Sequence, residues 1–244
     1  MSPEEEDRRR ICRERKVLIA ERVKHVNRIK GLLFSQGVSG YEPLRRNRRK
    51  QLDALHTGDG RPLPPHLKTQ ISRELARLEL LLEQIAAVEK ERDTLLAAQK
   101  DSVAATLIPA GAMLCDIKGI GLEFAAILWT EGLFRHFDNR RQVAAYAGLA
   151  PTPWRSGKVA REQGISKAGN PRLRHAMVEL AWLWVRHQPD SALTQWFRQR
   201  TVNASRRIKR IAVVALARKL IVALWRYLTT GLVPEHAVLK TTKA

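Results

Sequence analysis

From Glu4 to Gln36 the apolar side chains Ile19, Val23, Val26 and Leu33 fall on one heptad stripe, and charges fill most other positions. This pattern predicts one long helix. Residues 37–65 break it with Gly, Pro and Arg, and a short helix fits around residues 44–56. A second long helix is expected from about His66 to Thr106, on a stripe of Ile71, Leu75, Leu78, Leu82 and Ile85. Glu89 and Arg92 interrupt that stripe, and Leu96 resumes it. Two such helices joined by a loop read as a coiled-coil-like antiparallel hairpin, formed within one chain or between two.

Leu107-Ile108-Pro109-Ala110-Gly111 marks a boundary, so residues 1–106 and 107–244 are expected as two domains. Beyond it the pattern predicts short helices near 112–117, 121–132, 139–147, 171–187, 191–199 and 204–229. The one place where strands fit is a short pair flanking Ser156. The expected fold class is all-α: a long helical hairpin, then a compact helical domain with helix-hairpin-helix character.

Charge changes the picture most. The chain of 244 residues has 44 Lys and Arg against 24 Asp and Glu, a net charge of +20. Residues 1–100 hold 22 basic and 15 acidic side chains, leaving 22 and 9 for residues 101–244. The second half therefore carries the stronger basic field, which calls for a polyanionic partner there. Cys12 and Cys115 stand far apart without C-x-x-C spacing, which argues against a disulfide framework or a zinc site and for a reducing compartment. The acidic-then-basic start is no signal peptide. The longest apolar run, Ile211 to Leu228, is broken by Arg218, Lys219 and Arg226, so no membrane span is expected. A cytoplasmic, nucleoid-associated protein is the expected setting.

The densest chemistry lies in Arg155-Ser156-Gly157-Lys158 and Gly164-Ile165-Ser166-Lys167-Ala168-Gly169-Asn170-Pro171-Arg172-Leu173-Arg174. The cations Arg155, Lys158, Arg161, Lys167, Arg172 and Arg174 surround one hydroxyl, Ser156, with Glu162 as the single acid. Asn170 and Pro171 suit the N-cap and first position of a helix. A nucleophile with cations and a helix N-terminus is what attack on a phosphodiester needs. The residues alone read Ser-Gly more readily as a simple turn. Ser166 is a rival hydroxyl, better suited to contacting phosphate. His175, the nearest histidine, fits a base or a solvated helix position. Trp154 fits stacking on a base or covering the loop. Upstream, Ile117-Lys118-Gly119-Ile120-Gly121 fits a hairpin whose backbone N–H groups hold a phosphate, with Gly119 and Gly121 permitting close approach. It also fits an ordinary helix turn.

Taken in order, Lys118-Gly119-Ile120-Gly121, Ala144 to Pro151, Ser156-Gly157, Gly164 to Asn170 and Leu173-Arg174 resemble the C-terminal half of insertion-sequence family 110/116/902, transposases described as bridge-RNA-guided recombinases. The likeness runs on to Ala215-Leu216-Ala217-Arg218-Lys219-Leu220. It implies DNA transposition, with DNA and a guide RNA as partners and Ser156 as the strand-transfer nucleophile. It also implies Gly119, Gly121, Arg155, Lys158, Arg161, Lys167, Arg172 and Arg174 as DNA contacts. Full-length members carry an N-terminal RuvC-like domain whose acids bind divalent metal, Mg by expectation. No such segment is seen in these 244 residues, so the chain is expected to lack it and to hold no metal or other cofactor itself. Residues 1–106 would correspond to the linker and carry a homo-oligomer contact. The alternative is a catalytically inactive, truncated nucleic-acid-binding module. The aromatic stripe Trp182, Trp184, Trp196, Phe197, Trp225 and Tyr227 reads as core. The runs Arg45 to Lys50 and Arg206 to Arg210 fit either phosphate contacts or solvated helix faces.

Overall fold

The computed structural model describes residues 3–101, 110–156 and 159–240; for residues 4, 5, 8, 96–101, 110, 111, 153–156 and 159–163 it describes the backbone alone. The expected boundary at Leu107, Leu96 as a side chain, and Lys158 lie outside the described residues. The elements are α1 (Pro3–Phe34), α2 (Arg48–Asp53), α3 (Pro65–Asp101), α4 (Ala110–Asp116), α5 (Leu122–Leu128), α6 (Arg140–Tyr146), β1 (Pro151–Ser156), β2 (Val159–Ile165), α7 (Pro171–His187), α8 (Ala192–Thr201) and α9 (Arg206–Thr230). Trp129–Leu133 continues α5 as a π-helical turn. Among the described residues the fold is all-α apart from one two-stranded sheet. Contacts divide the chain into residues 10–92 and a second unit of residues 1–9 with 93–244.

Within residues 10–92, α1 and α3 run antiparallel. Leu18 clusters with Leu81, Ile85 and Val88, whereas Ile29 and Leu33 cluster with Ile71, Leu75 and Leu78. Gly37, at φ 72°, ends α1. Val38 N–H donates to Leu33 O and Gly37 N–H to Phe34 O, satisfying the last carbonyls of the helix. The α3 stripe is buried as expected at Ile71, Leu75, Leu78 and Ile85. The α1 stripe is corrected: Val23 is exposed, while Leu18 and Ile29 are buried. Val23 lies roughly 140° round the helix from Leu18, off the seam. Charged residues occupy the seam positions between, which hid it. Arg15 Nε donates to Glu89 at 2.7 Å, and His25 Nδ1 lies 2.6 Å from Glu74 Oε2. The run Arg45 to Lys50 likewise acquires a structural partner. Arg48 and Arg49 both donate to Glu79, at 3.0 Å through their Nε atoms.

Two predictions follow from this seam. Leu78 is fully buried, so Leu78→Asp sets a carboxylate among apolar side chains. The expected cost is about 3–4 kcal/mol, combining lost packing with an unpaired charge. An unchanged denaturant midpoint for this variant would refute the packing described. Glu74 supplies a pH dependence. Burial pushes its pKa up most strongly, but hydrogen bonds and charge from His25 and Arg28 outweigh that and hold it below the ordinary 4.5. A depressed carboxylate stabilises the fold above its unfolded value, and that contribution vanishes as pH falls through the folded one. Melting temperature should therefore fall as pH drops below 4.5, and Glu74→Gln should flatten that acid limb. Equal acid limbs in both proteins would show that Glu74 is not responsible.

In the second unit, α7 and α9 form the centre. Leu173, Met177, Leu180 and Trp184 lie on one face of α7, and Val213, Leu216, Leu220 and Leu224 on one face of α9. Small side chains between them, Ala181 and Ala217, are fully buried and let the helices approach closely. The start of α7 is capped as the sequence suggests. Asn170 Oδ1 accepts from Arg172 and Leu173 N–H, with Pro171 at the first helical position. Ser191 and Ser205 cap α8 and α9. Trp184, Phe197 and Tyr227 are core as expected, whereas Trp182 is 45% exposed and meets Phe197 edge-on. Among the described residues no helix is long and apolar enough to cross a membrane.

Candidate functional site

The two sequence motifs on either side of the sheet are joined by backbone hydrogen bonds. Ser166 N–H donates to Ala150 O at 2.8 Å, Lys167 N–H to Gly148 O at 3.2 Å and Asn170 N–H to Tyr146 O at 2.6 Å. Gly148 and Lys167 adopt positive φ, 65° and 57°. Gly169 has no room for a side chain, since an added Cβ would lie 2.5 Å from Ala145 O and closer still to Tyr146 O and Gly148 N. The glycines therefore let residues 145–150 and 164–170 lie against each other.

From this joint the sheet extends as one arm. Strand β1 begins directly after Ala150 and β2 ends directly before Ser166. The strands pair antiparallel, with Pro151 opposite Ile165, a bulge beyond it, and Ser156 opposite Val159. Ser156 thus stands at the far end of the arm. Five residue steps at about 3.3 Å place it roughly 16 Å along the strand from Pro151.

This register separates the cations that the sequence set round Ser156. Arg155, opposite Ala160, and Arg161, opposite Trp154, belong to the outer arm by backbone position. Lys167, Arg172 and Arg174 belong to its base, as does the N-terminus of α7. The side chains of Trp154, Arg155, Ser156 and Arg161 lie outside the described residues. At the base, Arg174 Nη1 donates to Lys167 O at 2.9 Å, so Arg174 braces the joint. Arg172 Nη1 lies 3.7 Å from Glu131 Oε1 and remains partly exposed. Lys167 is exposed, and Ser166 is half-buried with its N–H engaged in the joint. His175 is exposed and 3.2 Å from Glu179, one turn along α7.

Glu131 was not singled out by sequence reasoning. It sits in the π-helical turn and is buried. Asn170 Nδ2 donates to its carboxylate at 2.9 Å and to its backbone oxygen at 3.1 Å. Tyr146 Oη donates to the same backbone oxygen at 3.0 Å. Arg9, almost wholly buried, donates to Tyr146 Oη at 3.1 Å and stacks 5.8 Å from the Phe134 ring centre. One residue thus caps α7 through its oxygen and ties that cap to a buried acid through its nitrogen. A π-turn adds a residue to one helical turn and turns a side chain toward a site. The residues that meet here are joined by contacts spanning 15 to 137 positions in sequence, and no local pattern announces them.

The turn at residues 117–121 joins α4 to α5. Gly119 has φ 93°, and an added Cβ would press on His187 Cβ. The chain's own tail crosses it: Lys118 N–H donates to Val238 O at 3.1 Å, and Lys240 Nζ donates to Ile120 O at 2.7 Å. Gln188 Nε2 donates to Lys118 O at 2.7 Å. Packing thus accounts for Gly119, whereas Gly121, the residue before α5, has open space around its Cα. Among the described residues, no three His, Cys, Asp or Glu side chains gather in a metal-binding group.

The chain is 66% identical to the putative transposase y4rJ of Sinorhizobium fredii, over 98% of its own length and 62% of that protein's. It is 28% identical to the transposase for insertion sequence element IS1328 of Yersinia enterocolitica, over 96% of the chain and 67% of that protein. The transposase for insertion sequence element IS1111A of Coxiella burnetii is 26% identical over 93% of the chain and 59% of its own length. The chain thus spans roughly three fifths of these relatives, from 59% to 67%. The sequence model of the transposase IS116/IS110/IS902 family matches residues 111–196, which include the π-turn, the joint, the arm and α7. Over residues 111–196 this chain is similar to the IS116/IS110/IS902 family of transposases.

Proposed function

We propose that the chain acts in DNA transposition, as the C-terminal part of an insertion-sequence transposase with Ser156 as strand-transfer nucleophile. The observation that carries this reading is the joint between residues 145–150 and 164–170, which holds an arm whose first strand ends at Ser156. In this reading Ser156 Oγ attacks a DNA phosphorus. A phosphoserine ester forms, the bond to one deoxyribose oxygen breaks, and that oxygen leaves with a proton. The ester conserves the energy of the broken linkage for rejoining. Arg155, Lys158 and Arg161 stabilise charge on the nonbridging oxygens. Lys167, Arg172 and Arg174 at the arm's base, and Gly119 and Gly121 in the α4–α5 turn, position the DNA backbone. A helix-hairpin-helix role for that turn, a guide RNA, a homo-oligomer contact through residues 1–106 and a functional division at residue 107 belong to the same reading. So does a divalent metal, Mg, held by acids of a RuvC-like domain outside these 244 residues.

The test is a denaturing gel that traps protein–DNA adducts. The 27.7 kDa chain is mixed with full-length y4rJ, DNA and guide RNA, and its mass distinguishes its own adduct. An adduct on this chain is the expected result. DNA binding without any adduct would instead identify a nucleic-acid-binding module and overturn the catalytic part. The chain alone should give none.

A further inference from the structure

We infer that the projecting N-terminal turns of α9, with the adjoining end of α8, form a docking surface for duplex DNA that is separate from the Ser156 arm. The inference deepens the DNA-handling reading and rests on it. Between Ser191 and Pro234 the chain carries nine cations and no Asp or Glu. They are Arg198 and Arg200 on α8, and Arg206, Arg207, Lys209, Arg210, Arg218, Lys219 and Arg226 on α9. Among the described residues none of these nine is in an ion pair. The contrast lies in residues 10–92, where Glu74, Glu79 and Glu89 each bind basic side chains. A field left without internal counter-charge is neutralised by an outside polyanion.

The shape selects the polyanion. Helices α8 and α9 are joined by four residues, Val202 to Ser205, with Asn203 at φ 54° making the turn. Residues 206–211 are all exposed, and the first buried residue of α9 is Ala212. Six residues at 1.5 Å each give roughly 9 Å of helix clear of the core. The major groove of B-DNA, about 12 Å wide and 8.5 Å deep, admits such a helix end. The deep, narrow major groove of A-form RNA does not. Ile208 and Ile211, exposed between the cations, match the thymine methyls of that groove. Single strands are a poorer fit, because they bind by stacking on open aromatic faces. The Trp196 ring is occupied by Arg200 and Lys219, whose charged groups lie 5.1 and 4.9 Å from its centre.

Fluorescence anisotropy of the full chain on a B-DNA duplex, titrated with salt, tests this. The variant R206A/R207A/K209A/R210A should lower the slope of log affinity against log salt by about 3.6, since each of four lost phosphate contacts removes about 0.9. Affinity at low salt should drop on the order of a hundredfold or more. The charge-matched control K24A/R46A/K50A/R73A, four exposed cations of residues 10–92, should lose much less. The variant R206K/R207K/R210K keeps the charges and should retain the slope. Circular dichroism melts report whether each variant keeps its fold. Equal losses in variant and control would show a net-charge effect and overturn the surface. An RNA duplex bound as tightly, with the same four residues required, would overturn the choice of DNA. A wild-type chain that binds no duplex would sink the DNA reading too, whereas binding unaffected in the fourfold variant sinks only this surface.

Discussion

Replacing Ser156 with alanine abolishes the covalent adduct in the reconstituted reaction and leaves DNA binding within about twofold, if the strand-transfer reading is right. Affinity for DNA comes mostly from cations on phosphates, and one hydroxyl adds little to it. Covalent chemistry, by contrast, has no substitute for the attacking oxygen. Ser166→Ala is the paired control. Its N–H is committed to Ala150 at the arm's base, about 20 Å along the strand from Ser156. Ser166→Ala should keep the adduct. An adduct that survives in Ser156→Ala and disappears in Ser166→Ala would move the nucleophile and refute the assignment.

Much of the fold was legible because its signals are local. Helix stripes, the Asn170-Pro171 helix start and the strand pair flanking Ser156 each occupy a few consecutive residues. The error on α1 has a physical source. A periodicity read from apolar side chains misses a seam that charged residues complete, as Arg15 with Glu89 and His25 with Glu74 do here. The exposed Trp182 shows the converse, an aromatic at helical spacing that half faces solvent.

The site was legible as a set of motifs and illegible as geometry. Closeness in sequence suggested one ring of cations around Ser156. The antiparallel register instead stretches the intervening residues into an arm, with Ser156 at one end and Lys167 beyond the other. The supports were hidden for a different reason. Arg9, Glu131, Tyr146 and Asn170 meet through contacts spanning 15 to 137 positions. Nothing in the local composition around Glu131 marks it as buried. The paired runs 145–150 and 164–170 bond through their backbones, which leaves only small residues and positive-φ glycine as a trace in sequence.

That trace supplies the other large effect. Gly169→Ala should destabilise the second unit by more than about 4 kcal/mol, at the exceptional end for one methyl group. Cβ would meet three backbone atoms, Ala145 O, Tyr146 O and Gly148 N, and none of these can swing aside as a side chain would. Relief requires parting the joint, which breaks the bonds of Lys167 N–H to Gly148 O and Asn170 N–H to Tyr146 O. Asn170 would then release its hold on Glu131, leaving a buried carboxylate without one of its donors. Gly164→Ala separates this collision from mere loss of glycine. Gly164 also has positive φ, 86°, but an added Cβ meets nothing within 4 Å. Its substitution should cost only the left-handed backbone strain, about 1–2 kcal/mol. Denaturant melts of the two variants decide the matter. Equal, small losses would mean that the joint is looser than drawn, and the arm carrying Ser156 would then lack a fixed base.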